Sequence, residues 1–167
     1  MDINVNLNSI SIGRAVAKLN RYAQAIETKA NAICERLARY GAFEATAMFN
    51  QAIYDGEKIV DVRVDEFSEG DEKGFEIIAN GETALILEFG AGVTYGYGHP
   101  LAGKFGMGPG TYPDGKGHWD SPNGWWFTDA FGKHHSYGNA PAMPMYNTAQ
   151  DLRSMVEEVA REVLLND

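Results

Sequence analysis

The sequence predicts an α+β fold, with a long N-terminal helix and a C-terminal helix packed on a small, mostly antiparallel β-sheet. Three observations predict it. A helical stripe of apolar residues occupies the first third of the chain, alternating strand patterns follow it, and a second helical pattern closes the chain. Before that last helix, residues 93–137 form a long loop rich in glycine and aromatic residues. Ordered loops of this length are uncommon without a function, so we expect the function there.

The composition predicts a single folded domain over residues 1–167, because the apolar and charged fractions, 44% and 22%, are ordinary. The net charge of −9 argues against a protein that binds nucleic-acid phosphates, since such proteins need clustered lysine and arginine. It is compatible with transient, non-specific proximity to DNA, because an acidic wall keeps a phosphate backbone from sticking.

The cysteine content and the hydropathy pattern predict where the protein folds. Cys34 is the only cysteine, which excludes an internal disulfide and fits a reducing cytoplasm. The chain shows no signal-peptide pattern, and no run approaches the roughly 20 apolar residues of a membrane span. We therefore expect a soluble protein without membrane contact.

Residues 2–8 alternate polar and apolar side chains, which is typical of a short, half-buried strand. Ile3, Val5 and Leu7 would face inward. A strand near a chain end is a natural edge strand, so we expect it to be available to a neighbouring subunit.

A long helix is predicted over residues 12–53, with Ser11 as its N-cap and a kink or fault near Gly41. Its apolar stripe has the 4-3 spacing of a heptad repeat. The stripe consists of Ile12, Val16, Leu19, Ala23, Ile26, Ala30, Ile33, Leu37 and Tyr40. A helix of roughly 60 Å is longer than one small sheet can cover. Part of the stripe is therefore expected to pack on another subunit; the alternative is an entirely intramolecular core.

Residues 57–80 predict a β-hairpin in which two alternating strands flank a polar turn over residues 68–74. After it, residues 83–89 could be a strand or a short helix, because periodicity cannot decide over so short a run. We favour a helix, since Ala84, Leu87 and Glu88 share a face at helical spacing.

Glu88, Phe89, Gly90 and Gly92 mark the point where the scaffold leads into the loop. A carboxylate within an apolar run must reach solvent or find partners. Glu88 could be a catalytic base if the fold placed a histidine or a second acid beside it. We favour a structural role, in which its carboxylate accepts hydrogen bonds and pins the base of the loop.

The loop over residues 93–137 contains prolines that exclude an extended helix. Residues 125–127 and 134–137 predict two short strands, which could form a second hairpin on the same sheet. A final helix is predicted over residues 144–165, with Pro144 in its first turn.

The aromatic side chains of the loop are the strongest candidates for a contact surface, because aromatic residues bury large areas at little entropic cost. They are Tyr95, Tyr97, Tyr112, Trp125, Trp126, Phe127 and Tyr137. Stacking of the paired tryptophans on sugars is an alternative. Stacking on bases is the weaker choice, because no basic residues lie between the aromatic ones.

All four histidines, His99, His118, His134 and His135, fall in the loop, so a metal site is conceivable. Their spacing matches no established ligand template, and His134 and His135 on one strand would point to opposite faces. We therefore expect surface or interface histidines and neither a metal nor a cofactor. The chain also lacks a G-x-S-x-G motif and a complete phosphate loop, which argues against an enzyme.

Several motifs in a fixed order resemble a known family. They are Gln51-Ala52-Ile53-Tyr54-Asp55-Gly56, Ala84-Leu85-Ile86-Leu87-Glu88-Phe89-Gly90-Ala91-Gly92, Gly110-Thr111-Tyr112-Pro113, Gly124-Trp125-Trp126-Phe127 and Ala140-Pro141-Ala142-Met143-Pro144. Over residues 12–165 the chain resembles the tail-completion or neck proteins of long-tailed bacteriophages, also called minor tail components.

The resemblance implies a non-enzymatic virion subunit of a six- or twelve-fold ring at the head–tail junction. Such a ring would bridge the head-closure protein and the tail terminator or tail tube and would line the DNA channel. We expect the loop and the N-terminal strand to be its docking surfaces. The alternatives are a tail terminator or a head-closure subunit, and, more remotely, a metal-dependent hydrolase that uses the loop histidines.

Overall fold

The computed structural model describes residues 9–54, 56–70, 72–110 and 120–165. The elements in chain order are α1 (Ser9–Gln51), β1 (Asp61–Glu69), β2 (Glu72–Asn80), α2 (Ala84–Phe89), a 3₁₀ turn (Ala102–Phe105), β3 (Trp125–Asp129), β4 (Gly132–Ser136) and α3 (Pro144–Leu165). This arrangement confirms the predicted α+β fold, the short helix at residues 84–89 and the start of the last helix at Pro144. The predicted strand with Ile3, Val5 and Leu7, and also Tyr112, lie outside the described residues.

The strands form two separate two-stranded antiparallel sheets, β1–β2 and β3–β4. The prediction that the second hairpin joins the same sheet is therefore wrong. The reason lies in the packing of β3, whose Trp125 and Phe127 line a small cavity together with Tyr54 and Ile86. A face of the second hairpin packs against these residues of the scaffold, and neither of its strands is hydrogen-bonded to the first sheet.

The first hairpin has a tighter turn than predicted. Glu69 pairs with Glu72, which leaves only two residues for the turn. Gly70 adopts a φ of 60°, the left-handed conformation that such a turn favours. The polar residues on either side of the turn therefore belong to the strands, and they are exposed at the tip of the hairpin.

Helix α1 begins at Ser9 and runs unbroken through Gly41, so Ser11 lies inside its first turn and is not the N-cap. Gly41 is needed for close packing. A Cβ atom on Gly41 would lie 2.5 Å from Cδ1 of Ile77 and 2.7 Å from Cδ1 of Leu152. The glycine therefore lets both β2 and α3 approach the second half of α1.

The core is centred on α2, where Leu87 is fully buried. It packs against Phe49 of α1 and against Ala52, which directly follows that helix. Around it pack Val62 of β1, Ala79 of β2 and Met145 of α3, with Val60 from just before β1 and Ala142 from just before α3. This packing fixes Glu88, the next residue of α2, between the loop and the start of α3.

The first half of α1 projects beyond this core; residues 9–28 are called the arm below. Every residue from 10 to 28 is exposed except the half-buried Ser11 and Ala15. Helix α3 runs antiparallel to α1 and ends beside the base of the arm, where the Lys29 side chain donates a hydrogen bond to the carbonyl of Leu164 at 3.4 Å. None of the helices in the described residues has the length and apolarity that a membrane span requires.

Candidate functional site

Glu88 is a buried carboxylate that joins three parts of the chain. Its Oε2 accepts a hydrogen bond from the backbone N–H of Met145 at 2.8 Å. Its Oε1 accepts one from the N–H of Tyr146 at 2.9 Å and another from Nε2 of His99 at 3.0 Å. The contacts link α2, the start of α3 and the loop, which agrees with the structural role that we favour.

The position of Glu88 explains how α3 begins. Met145 and Tyr146 are the second and third residues of α3, and an N-cap side chain normally accepts hydrogen bonds from the N–H groups at these positions. The residue before the helix, Met143, has no side-chain oxygen and adopts a φ of 56°. Glu88 supplies the missing acceptors from another helix, and its negative charge is favourable at the positive end of α3.

His99 is buried, with 7% of its surface exposed, which corrects the expectation of a surface or interface histidine. The backbone N–H of Leu101 donates to its Nδ1 at 3.1 Å, so Nδ1 carries no proton. The proton of the neutral ring therefore lies on Nε2 and is donated to Glu88. The Phe89 ring packs against the imidazole, with 4.3 Å between the ring centroids.

The two ends of the loop meet directly after α2, at a site called the loop junction, which comprises residues 90–92 and 138–142. Ala91 and Asn139 exchange both backbone hydrogen bonds, at 2.9 and 3.1 Å. The N–H of Ala142 donates to the carbonyl of Leu87 at 2.8 Å. The segment that contains Gly90 and Gly92 is therefore hydrogen-bonded to the returning end of the loop.

Beside Glu88 lies an open, largely apolar cleft of about 330 Å³. Phe89 and His99 line it, and Leu85, Leu101 and Phe105 form its exposed rim. Both carboxylate oxygens of Glu88 and both ring nitrogens of His99 are engaged in hydrogen bonds. The cleft therefore presents apolar surface, and its one carboxylate–histidine pair is occupied in holding the fold together.

The two tryptophans of β3 point to opposite faces of the hairpin. Trp126 is 62% exposed, whereas Trp125 and Phe127 are half-buried against the scaffold. On the outer face, His135 packs against Trp126 and Tyr137, with both centroid distances 4.8 Å, and Lys133 lies 4.9 Å from the Trp126 ring centroid. This outer surface is called the aromatic patch. The tryptophans do not form one stacking platform for sugars.

Tyr95 and Tyr97 are exposed, as expected for contact residues. His134 lies on the inner face of the second hairpin, where it stacks on Phe127 and bonds to Asp129 at 3.0 Å. His134 and His135 therefore face opposite ways, as predicted. Within the described ranges no three metal-ligating side chains cluster, while His118 lies outside those ranges.

Asp129 fastens the second hairpin to the scaffold. Its Oδ2 accepts from the N–H of Glu57 at 3.1 Å, and its Oδ1 accepts from the N–H of Phe131 at 2.8 Å and from His134. Burial alone would raise the pKa of Asp129. The two backbone N–H groups and His134 outweigh that effect and hold the pKa below its ordinary value.

A pH-dependent stability should follow from Asp129. Because its pKa is lower in the folded than in the unfolded chain, where it is about 3.9, the folded state binds fewer protons there. The stabilisation is complete above the unfolded pKa and is lost as pH falls through the folded pKa. In urea unfolding, the difference in the free energy of unfolding between wild type and Asp129→Asn should be smaller at about pH 3 than at about pH 6. A gap that stays constant, or one that Asp151→Asn on exposed α3 reproduces, would contradict this.

Sequence reasoning misses His99 and the first turn of α3 as partners of Glu88. One signal was available, because Pro144 marks a helix start and Met143 before it cannot cap that helix. An uncapped start inside a domain requires an acceptor from elsewhere in the chain.

Comparison of the chain with protein-family models, with curated proteins and with solved structures found no match. The likeness to phage neck proteins therefore rests on the sequence motifs alone.

Proposed function

We propose that this protein is a structural subunit of a tailed-phage neck, a tail-completion protein of a ring that joins the DNA-filled head to the tail. The ring, six- or twelve-fold, would contact the head-closure protein on one side and the tail terminator or tail tube on the other. The protein would act at the head–tail junction of the virion after folding in the bacterial cytoplasm. It would have no catalytic role.

The single observation that supports this most is the arm. Its stripe residues Ile12, Leu19 and Ile26 are 46%, 52% and 52% exposed, although they continue the apolar pattern of a helix that is well packed farther along. Apolar side chains in a continuous exposed row mark a surface for another protein. A subunit of an assembly needs such a surface, and an isolated enzyme does not.

The loop supplies a second surface of the same kind. The aromatic patch around Trp126, the exposed Tyr95 and Tyr97, and the apolar rim of the cleft all lie on residues 85–137. Aromatic side chains of this type commonly anchor protein–protein contacts. The net charge of −9 suits a ring through which DNA passes, because repulsion prevents the phosphates from binding.

The buried Glu88–His99 pair favours this proposal over the metal-dependent hydrolase. A general base needs a free lone pair directed at the substrate. Here the Nδ1 lone pair of His99 accepts from Leu101, and both oxygens of Glu88 accept from α3. Freeing Glu88 would uncap α3, and freeing Nδ1 of His99 would break its hydrogen bond from Leu101.

Electron microscopy of lysates tests the proposal, with a phage or induced prophage that carries an early stop codon in this gene. We expect DNA-filled heads beside complete, unattached tails. Expression of the intact gene from a plasmid should restore joined particles, which controls for effects on neighbouring genes. Tails of uncontrolled length would assign a tail terminator instead, and heads that leak DNA would assign a head-closure subunit. Normal virions would overturn the proposal.

A further inference from the structure

The arm carries a heptad pattern that no described helix of its own chain satisfies. Ile12, Leu19 and Ile26 occupy one core position of the heptad, and Val16, Ala23 and Ala30 occupy the other. We propose that, before it joins a ring, the protein forms a dimer in which two arms pair as an antiparallel coiled coil. The two-fold axis passes near residue 21 of each arm.

The pattern indicates a helix as the partner, because two apolar positions in every seven residues form the narrow seam of a coiled coil, whereas the face that a helix buries in a globular core is wider. Within the chain, α3 fills this role only up to the base of the arm. Its last turn lies beside Lys29, and the tip of the first hairpin reaches α1 at Glu27, where Lys73 Nζ lies 3.8 Å from Oε1. The stripe continues past both contacts, so its partner helix comes from another copy.

The side chains along the stripe favour the antiparallel arrangement. In that arrangement the two core positions of one helix face the opposite core positions of its partner. With the axis near residue 21, Leu19 meets Ala23 of the second copy, Val16 meets Ile26, and Ile12 meets Ala30. Each large side chain then faces a smaller one, as interdigitated packing requires. A parallel pair would place alanine on alanine and isoleucine on isoleucine.

The charges permit the same pairing. Arg14, Lys18 and Arg21 are the only charged residues between positions 9 and 26, and at 100° per residue they lie on the face opposite the stripe. The positions that flank the seam are neutral there, with Tyr22 close to Tyr22 of the second copy and Asn20 close to Asn20. No two positive charges are forced together when the arms pair.

The size of the contact predicts a weak dimer. Residues 12–30 of the two α1 helices overlap over about 27 Å, which belongs to the small class of protein interfaces. We expect a dissociation constant in the micromolar range. The contact is isologous, so it stops at two copies and hides the apolar face of the free protein. A cyclic ring needs a heterologous contact, so the arms would exchange partners on assembly; only this last step rests on the proposed function.

Sedimentation of the purified full chain over a range of concentrations tests the dimer with two matched variants. Ala23 and Ala25 are both exposed, two residues apart on the same helix; Ala23 lies in the stripe and Ala25 on the opposite face. Ala23→Glu should raise the dissociation constant at least about tenfold, because a charge would be buried in the seam without a partner. Ala25→Glu should leave the constant unchanged, and both variants should keep the helical circular dichroism of the wild type.

A monomeric wild type at every concentration, or a dimer that survives Ala23→Glu, would overturn the inference. The direction of the pair is tested by disulfide formation in a Cys34→Ser background. Equimolar Val16→Cys and Ile26→Cys chains should oxidise mainly to the mixed disulfide, which mass spectrometry identifies. Two homodisulfides without the mixed species would show a parallel pair and overturn the antiparallel arrangement.

These results are independent of the neck proposal. A monomeric protein whose stop-codon phage yields filled heads beside free tails would remove the dimer and keep the neck role. A dimer that responds to the two variants as expected, together with normal virions, would keep the dimer and remove the neck role.

Discussion

Glu88→Ala should lower the free energy of unfolding by about 3–5 kcal/mol, the largest loss we expect from a single side chain of this protein. The substitution removes the acceptor of three N–H donors, those of Met145, Tyr146 and His99. Buried donors without an acceptor cost about 1–3 kcal/mol each, and some of that cost is recovered by relaxation or water entry. Because domains of this kind are stable by roughly 5–15 kcal/mol, much of the margin would be lost. Urea denaturation followed by circular dichroism measures it.

Two matched variants separate the hydrogen bonds from general effects of mutation. Glu88→Gln keeps one acceptor oxygen but turns an amide NH₂ towards a donor, so we expect a loss of about 1–3 kcal/mol. Glu158→Gln changes an exposed residue of α3 and should stay within about 0.5 kcal/mol of wild type. If Glu88→Ala unfolded at the urea concentration of wild type, the carboxylate would not be the cap that α3 depends on.

The elements of the fold were predictable where the signal is local. The last helix was placed correctly at Pro144–Leu165 because its apolar spacing and its proline both lie within the segment. The short helix at residues 84–89 was also within reach, since Ala84, Leu87 and Glu88 share a face and all three are buried. Helical periodicity needs no knowledge of the rest of the chain.

The relations between elements were not predictable in the same way. Two antiparallel hairpins have the same alternating sequence pattern whether they share one sheet or form two. The alternation shows which face of a strand is buried and not what covers that face. The partners of Glu88 lie 11, 57 and 58 residues away, so no spacing rule connects them. The apolar run around Glu88 indicated that partners must exist, and only the fold shows which they are.

The arm shows the same limit. The 4-3 stripe predicted a helix with a continuous apolar face, and α1 confirms the helix. Which part of that face is covered depends on how far α3 runs along α1, and the last described residues of α3 lie beside Lys29. The extent of the exposed stripe therefore depends on how two helices pack together, and the sequence of either helix alone does not predict it.

Gly90→Ala should destabilise the protein by about 2–5 kcal/mol, because two separate costs add at the loop junction. Gly90 has a φ of 77° and a ψ of 177°, a backbone conformation that is essentially confined to glycine and that costs an alanine about 1–3 kcal/mol. Its Cβ would also lie 2.8 Å from both the carbonyl oxygen of Asn139 and the backbone nitrogen of Pro141. These are backbone atoms of the returning loop, so they cannot rotate away as a side chain could. Urea denaturation should show a lower midpoint with an unchanged slope.

Gly106→Ala is the reference for a glycine of positive φ without the steric cost. Gly106 has a φ of 67° and a ψ of 17°, the left-handed conformation, and a Cβ atom there would have no neighbour within 4 Å. We therefore expect Gly106→Ala to lose only the conformational cost of about 1–2 kcal/mol. The difference between the two variants measures the close approach of the two loop ends together with the stricter backbone conformation of Gly90. Equal losses would mean that the junction yields and that Gly90 contributes no more than a left-handed glycine on the surface. A larger loss at Gly90 would show that the motif following Glu88 needs a glycine for its backbone conformation and for the contact between the loop ends.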